Sequence, residues 1–311
     1  MMRDKHIPVL KEEVLTLLNV KPEGVYADCT MGYGGHGREI LSRLDGGIYL
    51  GIDKDLYAIE QSAVWREGYA ARVIIAKDDY KNLSNIALEN GLDGFDGILV
   101  DMGVSSVQFD DKSRGFSYHD EGRLDMRMDT QSILTAYEIV NTYSEKELTE
   151  ILYRYGEEKN APRIARAIVQ ARSAGPVEKT THLTEIIKKA YPPKERYQQK
   201  HPARKTYQAL RIAVNSELEQ LDKAIEEMVG LLKKEGVLCM ISFHSLEDRI
   251  VKETFRRLSQ GCTCPKDFPV CVCGAKADLK LLTKKAVVPS VEEVVANRRS
   301  RSAKLRAIKR V

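Results

Sequence analysis

The stretch from Val25 to Asp53 constrains the fold most, because it joins two apolar runs through a turn rich in glycine. The first run ends in Asp28, and the second ends in Asp53. Between them, glycines at positions 32, 34 and 37 spell G-x-G-x-x-G ahead of a helix-like segment. Glycine permits positive φ and a close approach of the backbone to a ligand, and the strand–turn–helix context makes such a pattern more than chance. The segment therefore predicts a strand, a ligand-binding turn, a helix and a second strand that ends in an acid.

Two nucleotide-like cofactors fit this turn, a dinucleotide and S-adenosylmethionine. A dinucleotide would place its pyrophosphate on the helix N-terminus and a ribose on Asp53. S-adenosylmethionine also has a ribose, but it carries a cationic methionyl group and no phosphate. Asp28 lies just before the turn, where a carboxylate would repel a pyrophosphate and attract a cation. His36 is also bulky for a pyrophosphate cradle. We therefore favour S-adenosylmethionine over a dinucleotide, and over a turn that binds nothing.

Further apolar runs predict a parallel sheet whose strands are followed by polar residues. Runs at 72–76, 95–100 and 236–242 alternate with helical patterns, which is typical of a parallel sheet with helices on both faces. Ligands of such sheets bind beyond the carboxyl ends of the strands. The sequence thus predicts an α/β, Rossmann-like sheet with a ligand site at that edge. The residues at four predicted strand ends are Asp28, Asp53, Tyr80 and Asp101.

A region without strand candidates interrupts the sheet pattern. A long loop leads from Met102 to Asp129, and its mixture of Arg, Asp, Phe and Met indicates an ordered wall of the site. Only helices are indicated from about 133 to 207, and a long helix is predicted from about Thr206 into Lys233. We therefore expect residues 1–110 and 206–311 to form the cofactor-binding domain. Residues 111–205 are expected to form a loop and an all-helical insertion.

Positive charge is concentrated in two segments of the chain. The formal net charge is +4, yet residues 151–211 alone carry 14 Lys or Arg and 5 Glu. Residues 296–311 add 7 Lys or Arg without an acid. Solvated helix faces would explain one such segment, but two of them favour a polyanionic partner such as nucleic acid. Candidate phosphate ligands are Arg204, Lys205 and Arg211.

No membrane or secretion signal is indicated. The sequence has no apolar run long enough to cross a membrane, and its first residues lack the apolar core of a signal peptide. We therefore expect a cytoplasmic protein without a membrane partner.

A cysteine cluster and a histidine are further candidates for a role. In a reducing compartment the cysteines at 262, 264, 271 and 273 favour structural zinc over disulfides, although C-x-C is tighter than the usual C-x-x-C spacing. A loop of free thiols is the alternative, and no catalytic metal is indicated. His244 follows the 236–242 run at the expected strand end, which favours a site role over a capping or core role. Ser245 and Asp248 are the predicted caps of the next helix.

Motifs spread over nearly the whole chain resemble one family. In order they read HIPVL, GYGGHG, DGILVDMGVSSVQ, RGFSY, LDMRMD, YGEEK, RIARAIV, HPARKTYQALRI, VNSELE, ISFHSLEDRIVK and RSAKLR. With these motifs the chain resembles the bacterial small-subunit ribosomal RNA cytosine-N4 methyltransferases, the ribosomal RNA small subunit methyltransferase H family. The resemblance implies an S-adenosylmethionine methyltransferase fold with a helical insertion. It also implies methylation of a cytidine N4 in the decoding region of 16S ribosomal RNA, free or within the small ribosomal subunit.

The same resemblance implies a set of cofactor-binding residues. Tyr80 stands where the family usually has an aromatic, whose ring could stack on adenine. The segment Asp101 to Val104 departs from the acidic or polar residue, two prolines and aromatic of other amino-methyltransferases, so contacts to a flipped base do not transfer directly. The implied set is Gly34, Gly35, His36, Asp53, Tyr80, Asp101 and Gln108.

Asp101 is also the candidate catalytic residue. An acceptor for the N4 hydrogens would localise the lone pair of the amine and help to remove a proton. Two other classes of protein stay open. A nicotinamide dehydrogenase is disfavoured by Asp28, and a non-catalytic RNA-binding or assembly factor would not need the intact cofactor turn.

Overall fold

The computed structural model describes residues 8–196, 201–261 and 277–311. The chain forms two compact units, one of residues up to Gly103 and from Gln220 onward, and one of Val104–Glu219. The strands of the first unit are β1 (Val25–Asp28), β2 (Ile48–Asp53), β3 (Arg72–Lys77), β4 (Phe95–Asp101), β5 (Leu232–Ser242), β6 (Leu279–Leu281) and β7 (Lys304–Arg310). Its helices are α1 (Lys11–Leu18), α2 (Gly35–Leu41), α3 (Leu56–Ser62), α4 (Leu83–Glu89), α11 (Leu221–Gly230), α12 (Ser245–Leu258) and α13 (Val291–Ala296). The second unit contains α5 (Ser106–Asp110), α6 (Ala136–Thr142), α7 (Glu145–Gly156), α8 (Ala161–Arg172), α9 (Thr180–Ala190) and α10 (Ala203–Asn215).

The first unit is built on a sheet with the order β3-β2-β1-β4-β5-β7-β6. Strands β1 to β5 are parallel, whereas β7 runs antiparallel to β5 and to β6. The order reverses between β1 and β4, and a reversal of this kind is where open α/β sheets bind ligands. Asp28 pairs with Gly51 and Leu99, so Asp53 and Asp101 lie two residues farther along their own strands at the same edge. The predicted Rossmann-like α/β fold is confirmed.

The central strands are apolar throughout because both of their faces are covered. Leu50 and Ile52 of β2 and Ile98 and Leu99 of β4 are fully buried. Helix α1 contributes Val14, Leu15 and Leu18 to the core on one face of the sheet. Continuous apolar runs therefore mark the strands, rather than an alternation of apolar and polar residues.

The second unit has a core of its own, made by one apolar stripe from each long helix. Capping boxes start three of its helices: the predicted pair of Ser144 and Glu147 starts α7, and equivalent pairs start α5 and α6. Residues of the long loop after β4 are buried in the same core, so packing orders this loop. The core includes Phe116, Leu124 and Met126 from the loop and Leu148, Leu152, Ile164, Ile168, Leu183, Ile187 and Leu210 from the helices.

The predicted long helix from Thr206 into Lys233 is wrong. It is two helices, because Ser216 (φ 49°) and Gln220 (φ 56°) adopt the left-handed conformation that ends helical hydrogen bonding. Asn215 closes α10, since its side chain accepts a hydrogen bond from Met128 N at 2.7 Å. Strand β5 also begins at Leu232 rather than at 236, and its pairing with β4 shifts register between Phe95 and Gly97.

Helix α12 begins one residue earlier than predicted. His244, rather than Ser245, is the N-cap, and its Nδ1 accepts a hydrogen bond of 3.4 Å from Glu247 N. Asp248 does not cap the helix but forms an ion pair with Arg306 of β7. The cysteines from 262 to 273 lie outside the described residues, so structural zinc stays a prediction. Among the described residues, no helix combines the length and the apolar character that a membrane span requires.

Candidate active site

The glycine turn between β1 and α2 depends on two left-handed residues. Gly32 has φ 51° and Gly34 has φ 77°, and Gly34 is the N-cap of α2. A Cβ on Gly34 would lie 2.5 Å from ring carbons of Trp65, so no other residue fits without displacing the indole. The turn is tied to the next strand, because Gly32 N donates to Asp53 Oδ2 at 2.7 Å. The backbone therefore forms a tight cradle at the edge of the sheet.

Asp53 holds this cradle with both carboxylate oxygens. While Oδ2 accepts from Gly32 N, Oδ1 accepts from Asp55 N at 2.8 Å. Burial raises the pKa of Asp53, although these backbone hydrogen bonds favour its ionised form. Each oxygen of a carboxylate has a second lone pair, so Asp53 can still accept from a ligand hydroxyl.

Asp28 is a buried carboxylate at the end of β1, with only 2% of its surface exposed. Tyr49 Oη donates to its Oδ2 at 3.2 Å, and Thr30 N donates to its Oδ1 at 3.3 Å. Burial raises the pKa of Asp28 to about 7 against these hydrogen bonds, and the charge of Asp53 adds to the effect. At neutral pH this group is therefore poised between its acid and its carboxylate.

Asp101 ends β4 and is less satisfied than the other two acids. Its N–H donates to Thr30 Oγ1 at 2.6 Å, which joins the end of β4 to the loop after β1. Its Oδ1 is buried and has no hydrogen-bond partner among the described residues. Burial raises the pKa of Asp101 to about 8, and the charges of Asp28 and Glu247 contribute. Asp101 Oδ1 is therefore the carboxylate oxygen of the site that is best placed to accept a hydrogen bond from a ligand.

His36 connects the turn to Asp101. The ring is buried on the first turn of α2, with Nε2 3.0 Å from the carbonyl oxygen of Val9. Because a carbonyl only accepts, Nε2 must carry a hydrogen. The other ring nitrogen, Nδ1, lies 3.9 Å from Asp101 Oδ2. The side chain of His36 therefore faces the carboxylate, while its backbone belongs to the glycine turn.

These residues suit a ligand that brings positive charge. Three carboxyl groups share one edge of the sheet, and their raised pKa values show that ionisation there is disfavoured in the protein alone. A bound cation would favour the ionised forms, whereas a pyrophosphate would meet repulsion. A glycine cradle with an acid on the second strand also suits a ribose. The three carboxyl groups and the glycine cradle therefore fit S-adenosylmethionine and disfavour a dinucleotide.

Comparison with known proteins decides the family. A family model described as the MraW methylase family matches residues 3–311. The chain belongs to the MraW methylase family.

Curated relatives agree over their full lengths, and each is named Ribosomal RNA small subunit methyltransferase H. The relative from Clostridium botulinum (strain Kyoto / Type A2) is 50% identical over 311 residues, which is 100% of both chains. The relative from Carboxydothermus hydrogenoformans is 49% identical over 310 residues, 100% of this chain and 99% of its own. The relative from Fusobacterium nucleatum is 48% identical over 309 residues, 99% and 98% of the two chains. The predicted family, methyltransferase activity and S-adenosylmethionine cofactor are confirmed.

Tyr80 and Gln108 are two further residues that the sequence predicted to bind the cofactor. Tyr80 begins a 3-10 turn three residues after the end of β3, at the same edge of the sheet, and is half-buried. Gln108 belongs to the second unit, where it forms a capping box at the start of α5. Its Oε1 accepts from Ser105 N at 3.0 Å. Both residues stay predictions as cofactor ligands.

Several residues of the methylase site were missed from the sequence. Thr30 and Tyr49 hold Asp101 and Asp28, and Trp65 closes against Gly34. Glu247 is buried after β5, accepts from Phe243 N at 2.9 Å and raises the pKa of Asp101. His244 was favoured from the sequence as a site residue, but it is the N-cap of α12, and its Nε2 lies 3.1 Å from Glu247 Oε1. A site role for His244 stays a prediction. Thr30 could have been proposed from the sequence, because it follows Asp28 and Cys29 at the end of the first apolar run. The contacts of the other residues depend on the register of the folded strands.

Proposed function

We propose that this methylase transfers a methyl group to the N4 amine of a cytidine in the decoding region of 16S ribosomal RNA. The relatives' shared name supports a small-subunit ribosomal RNA substrate, and the motifs resemble the cytosine-N4 enzymes. The observation that carries the chemistry is the set of three acids, Asp28, Asp53 and Asp101, that the strand register brings to the edge with the glycine cradle. Such a substrate would place the protein in the cytoplasm, with the RNA or the small subunit as its partner.

The cofactor would be held at the carboxyl ends of β1 to β4. We assign the backbone of Gly34, Gly35 and His36 to the methionyl part, and the carboxylate of Asp53 to the ribose. Asp28 and Asp101 would offset the positive charge of the methionyl group. S-adenosylmethionine supplies a methyl group already activated on a sulfonium. The adenine and the remaining contacts are assigned to Tyr80 and Gln108.

The protein's own chemical task is alignment and proton removal. Holding two reactants in line can supply several kcal/mol, with about 7–11 kcal/mol as an upper range. N4 would take up the methyl group that the cofactor supplies as that group leaves the sulfur, and N4 would then have to lose a proton. Asp101 is the proposed acceptor, because its Oδ1 has no described partner and a bound cationic cofactor would favour its carboxylate form.

The insertion, predicted as residues 111–205, is the proposed RNA-contacting domain. The compactness of residues 104–219 supports a separate role for this segment. Of its three candidate phosphate ligands, Arg204 is exposed, whereas Arg211 forms a two-pronged pair with Glu217. Lys205 Nζ donates to the carbonyl oxygen of Glu157 at 2.6 Å. Arg204 is therefore the strongest candidate of the three.

Part of the basic C-terminal segment forms ion pairs within the protein and is therefore not available to bind phosphates. Lys304 and Arg306 of β7 both pair with Asp248. The exposed cations that precede β7 are the better phosphate ligands: Arg298, Arg299 and Arg301.

The decisive experiment uses small subunits purified from cells that lack the modification. The protein is incubated with these subunits and labelled S-adenosylmethionine, and the label is mapped by RNA digestion and mass spectrometry. A single N4-methylated cytidine in the decoding region is the expected result. Label at another base, or on a ring carbon, would refute the cytosine-N4 assignment, and binding without any transfer would favour an assembly factor. Free 16S RNA in parallel shows whether the assembled subunit is required.

A further inference from the structure

Four aromatic rings meet in the second unit, and two family-like motifs supply three of them. Tyr118 belongs to RGFSY, whereas His201 and Tyr207 belong to HPARKTYQALRI. The rings of Tyr118 and His201 are stacked, with centroids 4.7 Å apart and planes at 14°. His119 lies against both, at 4.4 Å from Tyr118 and 5.4 Å from His201. Tyr207 meets the edge of Tyr118 at 5.6 Å.

The inner part of this cluster is fixed by hydrogen bonds. Tyr207 is buried, and its hydroxyl donates to the carbonyl oxygen of Thr180 at 2.8 Å and lies 3.1 Å from Thr184 Oγ1. His201 Nδ1 accepts from Ala203 N at 3.2 Å in the first turn of α10. The rings are therefore pre-organised, so a partner that stacks on them pays little ordering entropy.

The outer part of the cluster faces solvent. His119 is exposed, and Tyr118 and His201 are half-buried, so aromatic surface increases outward from the buried Tyr207. A cluster that served only the core would bury its rings. Ring faces held at a protein surface are what single-stranded nucleic acids stack on, because every base has a π-face.

Positive charge accompanies the rings. Lys188 lies close enough for its charge to lower the pKa of His201, with burial as the main cause and His119 as a further one. Glu185 acts in the opposite direction and also pairs with Lys188 at 2.9 Å. Arg204 follows His201 by three residues, in the first turn of α10, and is exposed. The surface therefore combines aromatic rings with two cations, Lys188 and Arg204, which precede and follow His201 in the sequence.

We propose that Tyr118, His119 and His201 form a platform that stacks an unpaired base of the RNA, with Lys188 and Arg204 on neighbouring phosphates. The inference rests on the proposed function, since it takes RNA as the partner, and it adds a base-contacting site in the insertion. The purine or pyrimidine ring would lie on the exposed side chain of His119 and the edge of the Tyr118–His201 stack.

Stacking makes a measurable difference in affinity. Truncation of a stacked aromatic side chain weakens binding by about 5- to 150-fold per base. His119→Ala should therefore raise KM for unmodified small subunits at least about fivefold, with little change in affinity for S-adenosylmethionine. His119→Phe should recover most of the loss, because it restores an aromatic face without a ring nitrogen.

A matched control is available on the same unit. His182 is an exposed histidine on α9 outside the cluster, and His182→Ala should leave KM unchanged. Thermal unfolding of each variant separates binding from folding. The inference is overturned if His119→Ala behaves like His182→Ala, or if His119→Phe recovers nothing.

Salt dependence and cross-linking test the two parts of the surface separately. Arg204→Gln should reduce the slope of log affinity against log salt by about one phosphate contact, whereas His119→Ala should leave that slope unchanged. Ultraviolet cross-linking of native protein to small-subunit RNA should place RNA on the peptide that contains Tyr118 and His119. This cross-link does not need methyl transfer, so an inactive protein that still cross-links there would refute the proposed function alone. Cross-links confined to other peptides would refute the platform.

Discussion

The carboxylate of Asp101 lies 3.9 Å from Nδ1 of His36, whose other ring nitrogen is held by the carbonyl oxygen of Val9. The glycine turn and the end of β4 are thereby joined through one buried imidazole. At this distance the two side chains face each other without a hydrogen bond. The pKa of Asp101 is raised by burial and by the charges of Asp28 and Glu247.

Affinity for S-adenosylmethionine should increase as the pH rises from 6 to 8.5. The pKa values of about 7 for Asp28 and about 8 for Asp101 mean that both groups bind protons in the protein alone at the acidic end of this range. A cationic ligand favours the carboxylates, so binding releases protons and becomes weaker as the pH falls. Calorimetry in buffers of different ionisation enthalpy measures both the affinity and the protons released.

The demethylated product supplies the control for this pH effect. S-adenosylhomocysteine keeps the ammonium group but lacks the sulfonium charge, so its affinity should vary less with pH. Asp101→Asn should flatten the S-adenosylmethionine profile, whereas Asp45→Asn, which removes an exposed carboxylate of the same unit, should not. Equal pH dependence for both ligands would show that the sulfonium charge plays no part in the charge that Asp28 and Asp101 offset.

Asp53→Ala should weaken S-adenosylmethionine binding by about ten- to a hundredfold, as expected for the loss of a hydrogen bond to a charged group. Part of this loss comes from the turn, because Gly32 N loses its acceptor. Asp55→Ala is the control, since Asp55 accepts from Tyr57 N as the cap of α3 and should affect stability but not affinity. Titration calorimetry with matched thermal unfolding separates the two effects. An Asp53→Ala protein of native affinity would remove Asp53 from the site.

The edge of the sheet was predictable from the sequence for a physical reason. Strands buried on both faces are read as unbroken apolar runs, and a polar residue directly after such a run marks the strand's end. Asp28, Asp53 and Asp101 could therefore be placed at one edge before any coordinates. Their partners could not, because the bonds from Tyr49 to Asp28 and from Asp101 N to Thr30 depend on the register between neighbouring strands.

The break between α10 and α11 could not be predicted, because it depends on backbone conformation. Apolar spacing continues across residues 210–232, so periodicity indicated one helix, yet Ser216 and Gln220 break it. Neither residue is glycine, and nothing in the local pattern marks a left-handed conformation. The break is fixed from a distance by Asn215, which binds the backbone of the loop at Met126 and Met128.

Asp248→Ala should lower the free energy of unfolding by about 3 kcal/mol, because it leaves Arg306 buried without its partner. Arg306 Nε lies 2.6 Å from Asp248 Oδ1, and each side chain is only 11% exposed. Glu226→Ala removes one partner of an exposed ion pair with Arg257 and should cost less than about 1 kcal/mol. Urea unfolding measures both changes. The double variant Asp248→Leu with Arg306→Met should recover part of the loss, and similar losses for the two single variants would contradict the importance of burial.

Gly34→Ala and Gly46→Ala separate backbone strain from the fit of the cofactor turn. The two glycines have nearly the same φ, 77° and 81°, so alanine should cost each about 1–2 kcal/mol of stability from its left-handed conformation. Only at Gly34 does the new Cβ meet a neighbour, the indole of Trp65, whereas nothing lies within 4 Å at Gly46. Gly34→Ala should therefore lose more stability, change the emission of the chain's single tryptophan and weaken S-adenosylmethionine binding at least tenfold. Gly46→Ala should retain native emission and affinity. Urea unfolding followed by tryptophan fluorescence, together with calorimetry, checks all three expectations, and equal behaviour of the two variants would show that contact with Trp65 does not shape the turn.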